Sequence, residues 1–145
     1  MEFYEGECKN GKINGYGIYS YSNGKKYSGQ FKNDKIEGLG IFNYRNGDLY
    51  EGNLKNNLKE GIGTYHFFSS KWKYEGEWRN DLRDGIGTQF FLKWLKYKGI
   101  WVNGKIKNFH PLILCIYYLI SFLNKNIFIF IILIIIAVYL GNFYF

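Results

Sequence analysis

The sequence predicts an all-β protein, an elongated array of antiparallel β-hairpins that forms a single twisted meander sheet, followed by a C-terminal apolar transmembrane helix. Three observations lead to this prediction. A Tyr-x-Gly motif returns every 23 or 24 residues, alternating apolar and polar residues surround it, and the stretch 112–145 contains a single charged residue, Lys125. A fixed period of this kind indicates one supersecondary unit stacked on copies of itself.

The period is carried by tyrosine and glycine. The tyrosines that open successive copies are 23, 23, 24 and 23 residues apart. A glycine follows each tyrosine two positions later, and a Gly-x-Gly pair begins 11 residues after each of the first four. The repeat-defining positions are Tyr4, Gly6, Gly15, Gly17, Tyr27, Gly29, Gly38, Gly40, Tyr50, Gly52, Gly61, Gly63, Tyr74, Gly76, Gly85, Gly87, Tyr97 and Gly99.

The segments around these positions alternate as β-strands do. Alternate residues of a strand share a face, so Tyr27, Gly29 and Phe31 point the same way. Glycine weakens a strand, so its fixed place needs a packing reason, and we expect an aromatic ring from a neighbouring strand to lie over the glycine backbone. Cys8 takes the position of Phe31 in the first copy and is expected to be a small buried residue.

Turns separate the strands. Asn23-Gly24 and Asn46-Gly47 predict hairpin turns, whereas the third and fourth copies need turns of another type. At the opposite edge we expect six-residue loops, which leave strands only about 15–20 Å long. These expected loops, which include Lys59 and Arg83, are Lys9 to Asn14, Lys32 to Glu37, Lys55 to Glu60 and Arg79 to Asp84.

Together these residues resemble the MORN (membrane occupation and recognition nexus) repeat. The resemblance covers 1–108, with full copies that start near Tyr4, Tyr27, Tyr50 and Tyr74 and a partial copy at Tyr97. It implies an open, elongated all-β groove that serves in scaffolding, self-association and phospholipid binding. The chain departs from the pattern where Cys8 and Leu54 replace an aromatic residue, near Ser69, where one residue is inserted, and in the incomplete fifth copy.

The sequence offers no catalytic or metal-binding constellation. His66 and His110 lie far apart, as do the two cysteines, and no metal-ligand spacing connects them. Glu5, Glu51 and Glu75 recur, but the repeat period alone explains their spacing. We therefore predict a protein that is not an enzyme and that binds no metal or cofactor.

Charge is uneven along the chain. The part before Pro111 has 18 basic and 12 acidic residues, a formal charge of +6. The edge with the Asn-Gly turns is predicted to be basic, with Asp48 as its only acid, and could attract anionic phospholipid, at about 1 kcal/mol per basic residue. An alternative is a solvated edge that prevents aggregation, and nucleic acid is not expected because the aromatics are used in packing. The candidate lipid contacts are Lys25, Lys26, Arg45, Lys71, Lys73, Lys93, Lys96 and Lys98.

The C-terminal stretch consists of two apolar runs. A membrane span needs about 20 apolar residues, so 127–145 is a candidate transmembrane helix and 112–123 an interfacial or re-entrant segment. Lysines before the first run place the array in the cytoplasm by the positive-inside rule. Because residues with AT-rich codons are abundant, a gene-model artefact is the alternative for this stretch.

The combined prediction is a non-enzymatic, membrane-anchored scaffold or adaptor that contacts anionic phospholipid. One alternative is a soluble module for protein interaction or self-association. The other, implied by the resemblance, is an N-terminal regulatory fragment of a larger enzyme such as a lipid kinase that contains MORN repeats.

Overall fold

The computed structural model describes residues 1–91 and 95–107, and these residues form one antiparallel sheet. Each strand pairs with the next along the chain, so β1 and β10 lie at the two ends of the sheet. The predicted all-β meander is therefore confirmed. The strands are β1 (Phe3–Lys9), β2 (Lys12–Ser20), β3 (Lys26–Lys32), β4 (Lys35–Asn43), β5 (Leu49–Lys55), β6 (Leu58–Phe67), β7 (Trp72–Arg79), β8 (Leu82–Phe90), β9 (Lys96–Val102) and β10 (Lys105–Ile106).

Two-residue turns replace all four expected six-residue loops, so that prediction was wrong, and a fifth such turn follows β9. Both residues of each turn have positive φ, as in Asn33 (49°) and Asp34 (65°), which is the backbone of a type I′ hairpin. Asparagine, aspartate and glycine tolerate this conformation, so the strands continue up to the turn. The strands are longer than expected for the same reason. The turns are Asn10-Gly11, Asn33-Asp34, Asn56-Asn57, Asn80-Asp81 and Asn103-Gly104.

At the other edge, the two predicted Asn-Gly hairpins are confirmed as three-residue loops. Gly24 has φ of 85°, and its N–H donates to the carbonyl of Tyr21 at 3.0 Å. The N–H of Tyr21 in turn donates to the carbonyl of Lys25 at 2.8 Å. A type I turn followed by a left-handed glycine closes such hairpins. The third copy turns differently, as expected, with Lys71 at φ of 57°.

The strand register aligns one glycine from each of nine successive strands in a single row. Gly6 lies opposite Gly17, Gly17 opposite Gly29, and the pairing continues in this way to Gly87 and Gly99. The row thus crosses the sheet from β1 to β9. Its members, called the glycine row below, are Gly6, Gly17, Gly29, Gly40, Gly52, Gly63, Gly76, Gly87 and Gly99.

The core lies on the face of the sheet to which the repeat tyrosines point, here called the aromatic face. Tyr27, Tyr50 and Tyr74 are fully buried there. A Cβ atom on Gly17 would lie 2.5–2.7 Å from atoms of the Tyr4 side chain, so the ring occupies the space above the glycine. The predicted packing of aromatic rings over glycine is confirmed. The core residues are Tyr27, Phe31, Ile36, Phe42, Tyr50, Leu54, Tyr74, Trp78 and Trp101.

Cys8 is exposed, although the sequence predicted burial. Its counterpart Phe31 is covered by edge contacts with Tyr4 and Tyr27, whose ring centroids lie 5.4 and 5.0 Å away. In the described sheet β1 lies at one end, so no tyrosine from a neighbouring copy packs on Cys8 as Tyr4 packs on Phe31.

The array and the apolar stretch separate at Lys107. Residues Met1–Lys107 form one compact unit. The described ranges contain no helix of the length and hydrophobicity that a membrane crossing requires. The predicted segments 112–123 and 127–145 lie outside these ranges, and so does Lys93.

Candidate interaction surfaces

A β-bulge lies opposite the residue that follows the glycine of each tyrosine-bearing strand from β1 to β7. In the β5–β6 pair, Glu60, Gly61 and Ile62 of β6 lie opposite Asn53 alone, and the Asn53 carbonyl accepts a 2.7 Å hydrogen bond from the hydroxyl of Tyr50. Tyr4, Tyr27 and Tyr74 make the same bond three residues ahead, at 2.8 to 3.0 Å. The bulge interrupts the regular ladder beside this residue, and the tyrosine hydroxyl supplies a partner for its carbonyl.

The side chain of the residue opposite each bulge reaches across to the bulged strand. The Glu77 carboxylate accepts from the N–H of Ile86 at 2.8 Å, and Gln30 accepts from Leu39 at 3.0 Å. This contact requires glycine at the first position of Gly-x-Gly. Gly85 has φ of 107°, and a Cβ there would lie 2.6 Å from the Glu77 carboxyl. The first glycine of the motif therefore leaves room for a side chain from the preceding strand, and the second leaves room for the tyrosine ring.

On the face opposite the aromatic face, here called the groove face, a large apolar residue is exposed at the same position of each of the first four copies. Each is the middle residue of Gly-x-Gly: Tyr16, Leu39, Ile62 and Ile86 are 57–60% exposed. The first three border a groove of about 840 Å³ across β1 to β6. The sequence analysis missed this row, although an apolar residue between the paired glycines of four copies was its signal.

The recurring glutamates also lie on the groove face. Glu5 and Glu51 line the groove, and Glu75 forms an ion pair with Lys73. Consecutive copies are two strands apart, or roughly 9–10 Å, so these carboxylates do not approach one another as a catalytic pair. Across residues 1–91 and 95–107, no group of three or more His, Cys, Asp or Glu side chains could hold a metal ion.

The predicted basic edge is divided in the structure. Lys25 turns onto the aromatic face, where its Nζ lies 3.7 Å from the Phe42 ring centroid. Arg45 and Lys71 lie in turns and are exposed. Strand alternation points the remaining described members to the groove face: Lys26, Lys73, Lys96 and Lys98. Of these, Lys73 is engaged by Glu75 and by the Phe90 ring, whose centroid is 4.4 Å from its Nζ.

Three cations lie on the aromatic face, and the sequence analysis missed all three. It expected Lys59 and Arg83 in loops and Lys25 at the basic edge. Lys59 and Arg83 instead lie in strands. They take the repeat position that isoleucine takes in the other copies, as Ile13, Ile36 and Ile106, and this set of equivalent positions forms a column across the sheet. In the sequence, the replacement of isoleucine by a cation at this repeat position was the signal that could have placed Lys59 and Arg83 on the aromatic face. Burial lowers the pKa of Lys25, Lys59 and Arg83, and the charge of Lys59 lowers that of Lys25 further.

Arg83 is well partnered on this face. Its guanidinium stacks 4.1 Å from the Trp101 ring centroid and donates to the side-chain oxygen of Gln89 at 3.0 Å. Gln89, which is 2% exposed, takes a tyrosine position and donates to the carbonyls of Lys73 and Phe90 at 3.2 and 3.3 Å. The polar side chains of Arg83 and Gln89, which replace apolar residues of the other copies, therefore have hydrogen-bond partners in each other and in the backbone.

Acidic residues at the edge with the two-residue turns hold successive copies together. Glu60 accepts from the N–H of Asn80 at 3.0 Å, and Asp84 does the same for Asn103 at 3.0 Å. Asp81 joins the turn after β7 to β6, because its carboxylate accepts from the N–H of Lys59 at 2.9 Å. The acids of this edge are therefore structural.

An open single sheet, with its core on one face and an uncovered apolar row on the other, defines a repeat protein of the scaffold or interaction class. The sequence model of the MORN repeat matches residues 4–26, 27–49, 50–70, 74–91 and 97–107. The chain belongs to the MORN repeat family. No curated protein sequence matches it.

Proposed function

We propose that this protein is a non-enzymatic scaffold that binds a protein partner on its groove face and is held at a membrane by its C-terminal apolar segment. The observation that carries the proposal is the exposed row Tyr16, Leu39, Ile62 and Ile86. These side chains lie opposite the core, so the fold does not require their hydrophobicity. Contiguous exposed apolar surface is typical of interaction sites.

The groove specifies the chemistry of this partner. Apolar side chains spaced roughly 9–10 Å apart would match the row, since each copy advances by two strands. Glu5 and Glu51 border the groove and favour basic residues beside those apolar anchors. A segment that combines both features fits the surface best.

Site-specific photocrosslinking tests the partner. A photoreactive residue at Leu39 or Ile62 should trap one discrete partner in cells, and Ile62→Asp should abolish the adduct formed at position 39. The same probe at Lys32 or Lys55, which end strands at the edge with the two-residue turns, serves as control. Strand alternation also points Lys32 and Lys55 to the groove face, so equal crosslinking from both sets of positions would contradict a site centred on the exposed apolar row.

Membrane anchoring rests on the apolar run 127–145 and on the lysines that precede the two runs. The full chain should remain in the membrane pellet after carbonate extraction, whereas a chain that ends at Lys107 should be released. Protease added from the cytosolic side should digest the array. Release of the full chain by carbonate would exclude a spanning anchor, and protection of the array would exclude the cytoplasmic orientation.

Contact with anionic phospholipid is a separate part of the proposal. Of the predicted lysines and arginine, Lys25 and Lys73 are already engaged within the array, which leaves Lys26, Lys96 and Lys98 on the groove face and Arg45 and Lys71 in turns. Changing Lys26, Lys96 and Lys98 together to Gln should weaken binding to phosphatidylserine vesicles. The matched control changes Lys32, Lys35 and Lys55, and an equal loss would indicate unspecific attraction.

Self-association is a second candidate, favoured by the open edge of β1. Within the described part of the chain this strand pairs with β2 alone, and the side chain of Phe3 is 59% exposed. Unpaired strand edges are templates for pairing with another chain. Sedimentation of the chain in detergent should then show a dimer that Glu5→Pro, which removes a backbone N–H from β1, dissociates.

A further inference from the structure

Lys59 lies within a group of four aromatic rings on the aromatic face. Its Nζ is 5.0 Å from the centroid of Trp78, 5.4 Å from Tyr65, 5.6 Å from Tyr50 and 5.9 Å from Tyr44. These four residues are called the cage below. The rings come from three successive copies, so the stacking of the array assembles the cage.

The cage suits the charge of Lys59 but not its hydrogen-bonding groups. An ammonium ion carries three donors, and ring faces attract its charge without providing ordinary acceptors. Among the described residues, the carboxylate partner of Lys59 is Asp81, with Oδ1 at 3.6 Å from Nζ, longer than a good hydrogen bond. The Lys59 side chain is only 13% exposed, so water replaces few of the missing partners.

A cation without N–H donors avoids this mismatch. A quaternary ammonium group presents methyl groups and delocalised positive charge to the rings, and aromatic cages recognise such groups. It has no donor that burial would leave unsatisfied. The four rings therefore match a methylated ammonium group better than the lysine they hold.

We propose that the cage is a binding site for a trimethylammonium group, and that Lys59 occupies it in the free array and leaves when the ligand enters. Choline and a trimethyllysine side chain share the required chemistry. Asp81, 46% exposed beside the cage, supplies a carboxylate that can hold the displaced lysine or face the ligand. The site lies on the opposite side of the sheet from the proposed partner groove.

The other cations of the aromatic face lack this combination. Arg83 has both a ring to stack on and the Gln89 oxygen to bond. Lys25 has one ring fewer than Lys59, with the centroid of Phe42 at 3.7 Å from its Nζ and those of Tyr21 and Tyr44 at 5.2 and 5.3 Å. In the second copy the same column holds Ile36, which is buried in the core. Among the described residues, the third copy alone places a lysine among four rings.

Proton NMR of tetramethylammonium tests the site with the full chain in maltoside micelles, which carry no ammonium group. Binding inside the cage should shift the methyl resonance upfield through the ring currents. The wild-type chain should bind weakly, and Lys59→Ala, which empties the cage, should bind about tenfold more tightly. Lys59→Met fills the same space without charge and should lose binding.

Two controls separate a cation site from a simple cavity. The uncharged choline isostere 3,3-dimethyl-1-butanol should not bind Lys59→Ala, and Tyr65→Leu introduced into that variant should weaken tetramethylammonium binding while the circular dichroism of the sheet is kept. Parallel titrations with choline and with trimethyllysine identify the preferred source of the group.

Each contrary outcome overturns a defined part of the proposal. Equal binding of the alcohol, or no upfield shift with Lys59→Ala, would overturn the cage. Binding by Lys59→Ala without any binding by the wild-type chain would overturn the exchange of Lys59. Ile62→Asp should leave the titration unchanged, so failure of the proposed partner groove is distinguishable from failure of the cage.

Discussion

The hydroxyl group of Tyr50 donates a 2.7 Å hydrogen bond to the carbonyl oxygen of Asn53, the residue of β5 that lies opposite the bulge in β6. The ring of the same tyrosine lies over Gly52 and Gly63. One side chain thus fills the space above the glycine row and satisfies the backbone group that the bulge releases. The same arrangement at Tyr4, Tyr27 and Tyr74 links the repeat motif to the sheet.

The first prediction concerns this bond. Tyr50→Phe keeps the ring but leaves the Asn53 carbonyl without its partner, and we expect the free energy of unfolding to fall by about 1 kcal/mol. Tyr16→Phe is the matched control, because its exposed hydroxyl accepts only from the Gln30 side chain, and its effect should be near zero. Urea unfolding of residues 1–107 measures both. Equal effects would show that the hydroxyl of Tyr50 has no special role.

The second prediction concerns the glycine row. A Cβ on Gly63 would lie 2.6 Å from two ring atoms of Tyr50, so Gly63→Ala should destabilise the array by about 1–3 kcal/mol through overpacking. In a Tyr50→Leu background this cost should largely disappear. The control is Gly61→Ala, whose cost arises from its φ of 76° and should be the same in both backgrounds. Additive effects of Gly63→Ala and Tyr50→Leu would contradict the packing argument.

The third prediction separates the two faces of the sheet. Ile36 is 2% exposed and Ile62 is 60% exposed. Ile36→Ala should lower the free energy of unfolding by about 2–5 kcal/mol, because it leaves a cavity in the core. Ile62→Ala should change it by less than about 0.5 kcal/mol. A large destabilisation by Ile62→Ala would mean that the apolar row serves the fold and not a partner.

The fourth prediction concerns alkaline pH. Burial raises the pKa of Tyr44 and of Tyr74 to about 12, against about 10 in the unfolded chain. As the pH rises above about 10, the unfolded chain loses these protons first, so stability should be complete below pH 10 and decline towards pH 12. Urea unfolding at pH 8, 10 and 11 measures the decline. Tyr44→Phe should reduce its slope, and an unchanged slope would contradict a contribution from Tyr44.

Much of the fold could be predicted because the repeat is encoded locally. The alternation around Tyr27 and Gly29 defines the two faces of a strand, and Asn23-Gly24 defines a turn, without any distant contact. Two of the two-residue turns were missed because Asn33-Asp34 and Asn56-Asn57 are weaker turn signals than Asn-Gly, whereas Asn10-Gly11 was an Asn-Gly signal that the sequence analysis did not use. As a result the strands were predicted too short, and Lys59 and Arg83 were assigned to loops.

The surfaces could be predicted less well, because they depend on register. The eight basic residues were predicted to share one edge, but strand alternation sends Lys26 and Lys96 to one face, while the turn brings Lys25 to the other. Burial of Cys8 failed for a related reason. Cys8 is equivalent to Phe31 in the repeat. It lies in the end strand of the described sheet, however, where no ring of a neighbouring copy packs on it as Tyr4 packs on Phe31.

The sequence by itself determined the period, the all-β class, the alternation of the strands and the pairing of tyrosine with glycine, because each depends on residues close together in one chain segment. The tertiary structure alone decided that Ile62 is exposed and that Lys59 lies among four rings. Both depend on a bulge and a cross-strand register, which place Lys59 opposite Leu54 in β5 and bring in Trp78 from β7. Contacts that join three copies arise only when the copies stack.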